Sequence, residues 1–487
     1  MNNGNFDFSA FDSITGQPTD PDYIKVVTKE FGPPGYENAK GELSKLNEAF
    51  WAGLRARETV TIYEPMEKRF YRYNWTNGLY EPISDDKLRT EFGQRIYEAS
   101  LSWGKEWYSL QRFRTAPNLN AIIAHFRGQT EIADPFQKRP WIIHCANGVL
   151  EFSTNHDFSL QSFSPKYWSR YASPLSYEPT AIAPRFQSAL FSHLGADDIV
   201  ALQKAGGQAL LGRNLIQRIF ILDGIGGSSK GAFLEVTKLT VGLENCGELR
   251  TQHLGERFEI ARISNRSLLF GSDVPGNFLL VPSATFLKSM VGGDTLDREI
   301  KGSMNGESIR GQFNILISAN CRLRLRLDSD YAAWQRRLVD IHYEKPYIGQ
   351  TVPEIAQLLF REEGSGILNW FVRGAQALLA DIEQFGDIQL SQAQKERIEK
   401  LLRESDSLRL FLLAKVKKEP KSDLTTDEIF AAYLTYCSTC GIDNLSRSLV
   451  DRRLVDLMSE LFQSQKSTNI YRIGKTRRGY LDVDFIP

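Results

Sequence analysis

Lys230 closes a glycine-rich run, Gly224-Ile225-Gly226-Gly227-Ser228-Ser229-Lys230-Gly231, set between an apolar stretch, RIFILDG, and a helix-patterned one, AFLEVTKLTVGL. Residues of these types in this order suit a phosphate loop. Glycines let backbone N–H groups curl around phosphate oxygens, and the following helix adds the partial positive charge of its N-terminus. The lysine would reach the β- and γ-phosphates, so ATP with Mg2+ is the expected ligand. A glycine-rich strand-to-helix turn is the plainer alternative. Two positions depart from G-x-x-x-x-G-K-[ST]. Ser229 stands where a glycine usually precedes the lysine, at a strain of ~1–2 kcal/mol if the left-handed conformation is kept. Gly231 stands where a hydroxyl usually ligates Mg2+, so the ion would keep an extra water.

Three further positions carry polar groups where such chemistry would use them. SLLFGSDVP ends an apolar run on Asp273, which can hold Mg2+ through water or orient an attacking water; alone, an aspartate there reads as a turn residue. FNILISAN ends on Asn320, an amide able to sense a γ-phosphate if its strand lies beside the loop, and otherwise a strand-ending turn. Arg336-Arg337 precede LVDIHY. Paired arginines are commonly a solvated feature, and in a ring of subunits one of them can act across an interface as an arginine finger.

The elements that must position these groups follow from patterning. Apolar runs at 218–224, 267–273, 313–320 and 338–343 alternate with helix-like stretches, which predicts a mainly parallel α/β sheet covered on both faces. Upstream, 45–57 has helical spacing, 59–83 alternates like a small meander, and WIIHCANGVLEF (141–152) reads as a hairpin turning on Asn147-Gly148. YEPTAIAPRF (177–186) leads into helix at 187–213. A helical pattern spans about 352–418, and KVKKEPKSD (415–423) reads as a charged linker. The last ~65 residues run through helices into a hairpin, an order that suits a winged helix.

The expected division is a flexible tail at 1–20, an accessory domain at 21–186, an ATPase core at 187–350, a helical segment at 351–418 and a winged-helix DNA-binding domain at 419–487.

Composition narrows the classes. The 487 residues are 42% hydrophobic and 24% charged, which excludes a largely disordered chain. No run of ~18 apolar residues suggests a membrane span. The start, MNNGNFDFSAFDS, lacks a basic region followed by an apolar one, and five scattered cysteines make no disulfide framework, so a cytoplasmic setting is expected. Equal counts, 59 basic and 59 acidic, argue against a polycationic binder but allow local basic patches.

Taken in order, HCANGVLEF, FSPKYWSRYASPLSYEPTAIAPRF, LQKAGGQALLGRN, the glycine-rich loop, GERFEIARISNRSLLFGSDVP, LKSMVGGDTLDREIKG, ILISAN and WQRRLVDI make the chain resemble superfamily 3 helicases, specifically the phage/plasmid primase-helicase family related to the poxvirus enzyme. The resemblance implies an AAA+-like P-loop core that assembles as a hexameric ring, hydrolyses ATP between subunits and translocates on single-stranded DNA. Carried over residue by residue, it implies Gly224, Gly226, Gly227, Ser228, Ser229, Lys230 and Gly231 around the phosphates, Asp273 as the acid that holds Mg2+ through water, Asn320 as sensor, and Arg336 or Arg337 as the finger in trans. A second acid beside Asp273 is missing, since Ser272 and Val274 flank it. With Gly231, this leaves a hydrolysis-impaired ring acting as a DNA-binding or assembly scaffold as the rival reading, and a small-molecule kinase as a weaker one.

Nucleic acid would touch three basic segments. KGSMNGESIRG (301–311) centres on Asn305-Gly306, a favoured two-residue hairpin turn. The resemblance implies a channel hairpin there, with Lys301, Asn305 and Arg310 at the DNA backbone and Met304 near a base; a surface hairpin is the alternative. CRLRLRLD (321–328) puts Arg322, Arg324 and Arg326 on one face of an extended segment, either a phosphate-tracking strip or a charged edge. KSTNIYRIGKTRRGY (466–480) carries Lys466, Arg472, Lys475, Arg477 and Arg478 without an acid, interleaved with Tyr471 and Tyr480. That composition suits a DNA-binding wing, against a solvated hairpin or a subunit contact. The lone Cys437-x-x-Cys440 pair reads as packing at a helix end rather than zinc. His144 and His342 read as hydrogen-bonded strand residues, and Tyr80, Trp103 and Trp107 as core or interface. No paired-acid polymerase motif is visible, so priming is expected of a separate primase.

Overall fold

The computed structural model describes residues 8–12, 16–137, 141–192, 194–299, 307–327, 331–346, 352–440 and 444–486. The N-terminal part packs helices Glu48–Glu58, Asp85–Ser102 and Ala116–Thr130 against a meander of strands Thr61–Glu64, Arg69–Asn74 and Leu79–Ile83. Phe50, Trp51, Phe70, Phe92 and Phe126 fill the space between them. The side chains of Asn47 and Ser84 accept the N–H groups of Phe50 and Lys87, starting two of these helices. Residues expected in the flexible tail are folded onto this domain. Phe11 is buried beside Trp75, and its backbone bridges Pro18. Aromatic burial here outweighs the tail's polar composition.

The 141–152 hairpin is present, with Cys145 paired to Gly148. Its two turn residues are therefore Ala146 and Asn147, one position earlier than Asn147-Gly148.

The central sheet has five parallel strands, numbered here in chain order: β1 (Ile219–Gly224), β2 (Cys246–Glu248), β3 (Leu268–Gly271), β4 (Asn314–Ser318) and β5 (Leu338–Tyr343). Their spatial order is β2-β3-β4-β1-β5. Four are the apolar runs of the sequence. β2, the three-residue stretch Cys-Gly-Glu, has no pattern to reveal it.

Helix Ile355–Phe385 lies closely along helix Ala196–Leu211. A Cβ on Gly374 would stand 1.9 Å from the Gln203 carbonyl, and one on Gly207 2.1 Å from the Ala375 nitrogen, so both positions require glycine.

The helical segment continues as Gln392–Ser405 and Ser407–Lys415. Residues 415–423 are not a linker. Val416–Thr425 is a strand that pairs with Lys475–Phe485, interrupted by a register shift between Lys418 and Asp423 that accommodates Pro420. The C-terminal module thus runs helix Ser407–Lys415, this strand, helices Thr426–Cys440 and Arg447–Phe462, then the hairpin Lys466–Arg472 and Lys475–Phe485, with the first strand beside the last. Leu408, Phe411, Tyr433, Leu454 and Tyr480 share its core, so the module begins near residue 406 rather than 419.

Candidate functional site: a cleft at the C-terminal edge of the sheet

The glycine-rich run joins the end of β1 to helix Lys230–Val241. Gly224 has φ 131°, and a Cβ there would lie 2.2 Å from the Tyr343 carbonyl, so β5 closes one side of the loop. Ser229 adopts the left-handed conformation, φ 69° and ψ 5°, in which a glycine would carry no Cβ strain. Lys230 is buried, and its ammonium donates to the carbonyls of Gly224 (3.1 Å) and Ile225 (2.6 Å) and to Ser228 Oγ (2.9 Å). Burial lowers its pKa, while the carboxylates of Asp223 and Asp273 act in the opposite direction.

Because β4 lies between β1 and β3, the segments after β3 and β4 converge opposite this loop. The backbone N–H of Asp273 donates to Ser318 Oγ (3.1 Å), that of Val274 to the Ser318 carbonyl (2.9 Å), and that of Ala319 to Leu222 (3.0 Å). Asn320 donates its side-chain amide to Asp273 Oδ1. The result is a cleft of about 440 Å3 lined by Lys230, Gly231, Glu235, Ser272, Asp273 and Asn320 among others. A Cβ built on Gly231 meets nothing within 4 Å. Glu235 was not singled out in the sequence. The available signal was its spacing, one helical turn beyond Gly231 and on the same face.

Among the described residues no group of three or more His, Cys, Asp or Glu side chains is placed to hold a metal ion. A divalent cation in this cleft would therefore need phosphate and water oxygens beside Asp273, a donor set that suits Mg2+.

Behind the loop lies a buried charge network. Arg322 Nη1 donates to Asp223 Oδ2 and Asp340 Oδ2, both at 2.7 Å, and Arg322 Nε donates to Glu404 at 3.3 Å. His342 Nδ1 bonds Asp223 Oδ1 at 2.6 Å. Burial and the neighbouring Asp223 charge push the Asp340 carboxyl up to about 6 despite Arg322. Burial also acts to raise Asp223, but the His342 and Arg322 contacts outweigh it and hold that carboxyl below its usual range. The bond to Asp223 raises His342. Arg322 is thus an internal clamp rather than part of a phosphate-tracking strip. The alternation that suggested the strip is present, with Leu323, Leu325 and Leu327 buried and Arg324 exposed.

Arg336 and Arg337 precede β5, whose Leu338 pairs with Ile219 at the start of β1. Six residues of strand, about 20 Å, separate that end of the sheet from the loop. Arg337 is buried and donates to the Ala333 carbonyl; Arg336 is exposed.

Strands Thr295–Arg298 and Glu307–Arg310 pair antiparallel. Arg298 opposes Glu307, and the turn expected at Asn305-Gly306 lies outside the described residues. Lys301, Met304 and Asn305 lie outside the described residues. Arg310 stands 3.5 Å from Asp134 of the accessory domain.

In the C-terminal hairpin, Lys466, Lys475, Arg477 and Arg478 are exposed, as is Tyr471, whereas Tyr480 is buried. Arg472 is paired with Asp423 (2.7 Å) and Glu428 (2.9 Å). The hairpin turns on Ile473-Gly474, both with positive φ, and Ile473 is fully exposed. Cys437 is buried and Cys440 exposed, so only the first packs inside. His144 bonds the Asn77 carbonyl at 2.8 Å. No helix among the described residues is long and apolar enough to cross a membrane.

Residues 63–192 match the family model described as "D5 N terminal like". This stretch covers most of the accessory domain and the entry to the core. No curated protein matches the chain. Among solved structures, an A-form apo structure of the NrS-1 C-terminal region is 12% identical, with a TM-score of 0.42, covering 87% of this chain and 96% of that one. A second A-form structure of that region, residues 305–718 in its own description, is 11% identical with a TM-score of 0.43, covering 89% and 98%.

Proposed function

We propose that this chain is an ATP-dependent DNA helicase or translocase that works as a ring, most simply a hexamer, in the replication of a mobile element. The observation that carries the reading is the convergence of Lys230, Asp273 and Asn320 on one cleft, from three adjacent strands of the parallel sheet.

In this reading the loop N–H groups and Lys230 bind the phosphates of ATP, which replace the loop carbonyls and Ser228 hydroxyl as acceptors of the ammonium's hydrogen bonds. Mg2+ bound with the nucleotide would offset phosphate charge. Asp273 would hold it through water and orient the attacking water, with Asn320 fixing the carboxylate's direction and contacting the γ-phosphate. A neighbour's Arg336 would complete the site, because its exposure and its place at the far edge of the sheet suit a contact in trans. The hairpin that begins at β-strand Thr295–Arg298 would grip single-stranded DNA, and the C-terminal module, a winged helix in this reading, would add a second contact through Lys475, Arg477 and Arg478.

The absent hydroxyl at Gly231 favours one alternative, a ring that binds nucleotide without efficient turnover and acts as a scaffold. Phosphate release measured with and without single-stranded DNA, alongside native mass, tests both. Turnover stimulated by DNA in a six-chain assembly supports the motor. Nucleotide binding without turnover supports the scaffold. DNA-independent turnover by a single chain overturns both.

A further inference from the structure

We infer that Glu235 is a metal-holding residue of the cleft and supplies the contact that Gly231 cannot make. The inference rests on the nucleotide-binding reading above and concerns which of the chain's own side chains serves the bound cation.

Gly231 and Glu235 are four residues apart on helix Lys230–Val241, so they share a face. The space over Gly231 is open to 4 Å around the missing Cβ, and Glu235 lines the same cleft as Asp273. A glutamate side chain is long enough to extend along the helix into space that a Ser or Thr at 231 would occupy. The glutamate is also held rather than free. Lys238 Nζ lies 2.6 Å from Glu235 Oε2, and the same ammonium sits 4.3 Å from the ring of Phe270 on β3. The pair lies over the strand that leads to Asp273. One Glu235 oxygen is engaged by Lys238, and the carboxylate retains lone pairs for a second positive centre. Two acids from facing walls, with phosphate and water oxygens, make a more complete set for Mg2+ than Asp273 alone.

The competing explanation is that Glu235 serves only as the ion-pair partner of Lys238. Titration of the full chain with a fluorescent ADP analogue, in Mg2+ and in EDTA, separates the two. Wild type should bind at least tenfold more tightly with Mg2+. Glu235→Gln should lose at least fivefold of that gain while its affinity in EDTA stays within twofold of wild type. Lys238→Met, which breaks the pair but keeps the carboxylate, should retain the gain. Gly231→Ser added to Glu235→Gln should restore it, because the space at 231 admits a side chain. Manganese bound with the nucleotide, read by electron paramagnetic resonance, should change its spectrum in Glu235→Gln and not in Lys238→Met. Full metal dependence in Glu235→Gln, or equal loss in Lys238→Met, overturns the inference and leaves nucleotide binding intact. Failure of wild type to bind nucleotide in either condition overturns the nucleotide reading and this inference with it.

Discussion

The side-chain amide of Asn320 donates to the carboxylate of Asp273 across 47 residues of chain, because β3 and β4 run parallel and adjacent and release their last residues on the same edge. Removing the donor leaves Asp273 free to rotate. Asn320→Ala should lower kcat for phosphate release by about 10²-fold, with nucleotide affinity changed only a few-fold. Steady-state turnover and equilibrium binding on the same preparation separate the two effects.

Ser229 holds φ 69° with a single long contact, Oγ to the Ala189 carbonyl at 3.4 Å. Glycine adopts that backbone without the Cβ penalty, at some cost in unfolded-chain entropy. Ser229→Gly should therefore stabilise the protein by about 0.5–1 kcal/mol. Urea unfolding is the measurement, and destabilisation would show that the hydroxyl contributes more than the strain.

Asp340 sits with its Oδ1 buried and without a hydrogen-bond partner among the described residues, and its carboxyl is raised from 3.8 to about 6. A raised acid favours folding in its protonated form, so its unfavourable contribution is present above about pH 6 and relieved as pH falls. His342, also raised, contributes stability at low pH that is lost as pH rises through its folded value. Asp223 is lowered and loses its contribution only below its ordinary value of 3.8. From pH 8 to pH 5.5 wild type should thus gain on Asp340→Asn by roughly 1 kcal/mol in denaturant titrations. A pH-independent difference would mean that Asp340 does not titrate in this window.

The basic residues of the C-terminal hairpin divide by their partners. Lys475, Arg477 and Arg478 are exposed, whereas Arg472 is bound to Asp423 and Glu428. Replacing the first three with Ala should weaken duplex binding and reduce the salt slope by about 0.9 per lost phosphate contact. Arg472→Ala should instead lower the melting temperature, with the salt slope unchanged. Fluorescence anisotropy over a salt series, together with thermal melts, tests the division.

Much of the sheet was legible because four of its strands are continuous apolar runs, as strands buried on both faces must be. The same logic failed at Cys246–Glu248, too short to form a pattern. It failed again at Val416–Thr425, where Pro420 and five charged side chains mimic a linker while a bulge takes the proline out of the ladder. Lys230, Asp273 and Asn320 could be found because each ends a strand or opens a helix. The Arg322 network could not. Its bonded pairs are 18 to 119 residues apart, and alternation alone suggested a solvent-facing strip. Glu235 was hidden by an ordinary helical context, and its interest depends on what is missing at Gly231.

Asp406 alone separates helix Gln392–Ser405 from helix Ser407–Lys415. Its side chain accepts the Arg409 N–H and the Arg453 guanidinium, while Ser405 accepts the N–H of Leu325, five residues past Asn320. The joint is one residue long, Asp406 is bound to the module, and Ser405 just before it is bound to the segment after β4. The terminal module is mounted on the segment after β4 like an arm on a bracket, and does not trail from it on a leash. The module is therefore carried at a set radius from the cleft, and a small tilt of the segment after β4 sweeps the tip of its hairpin through a proportionally wider arc.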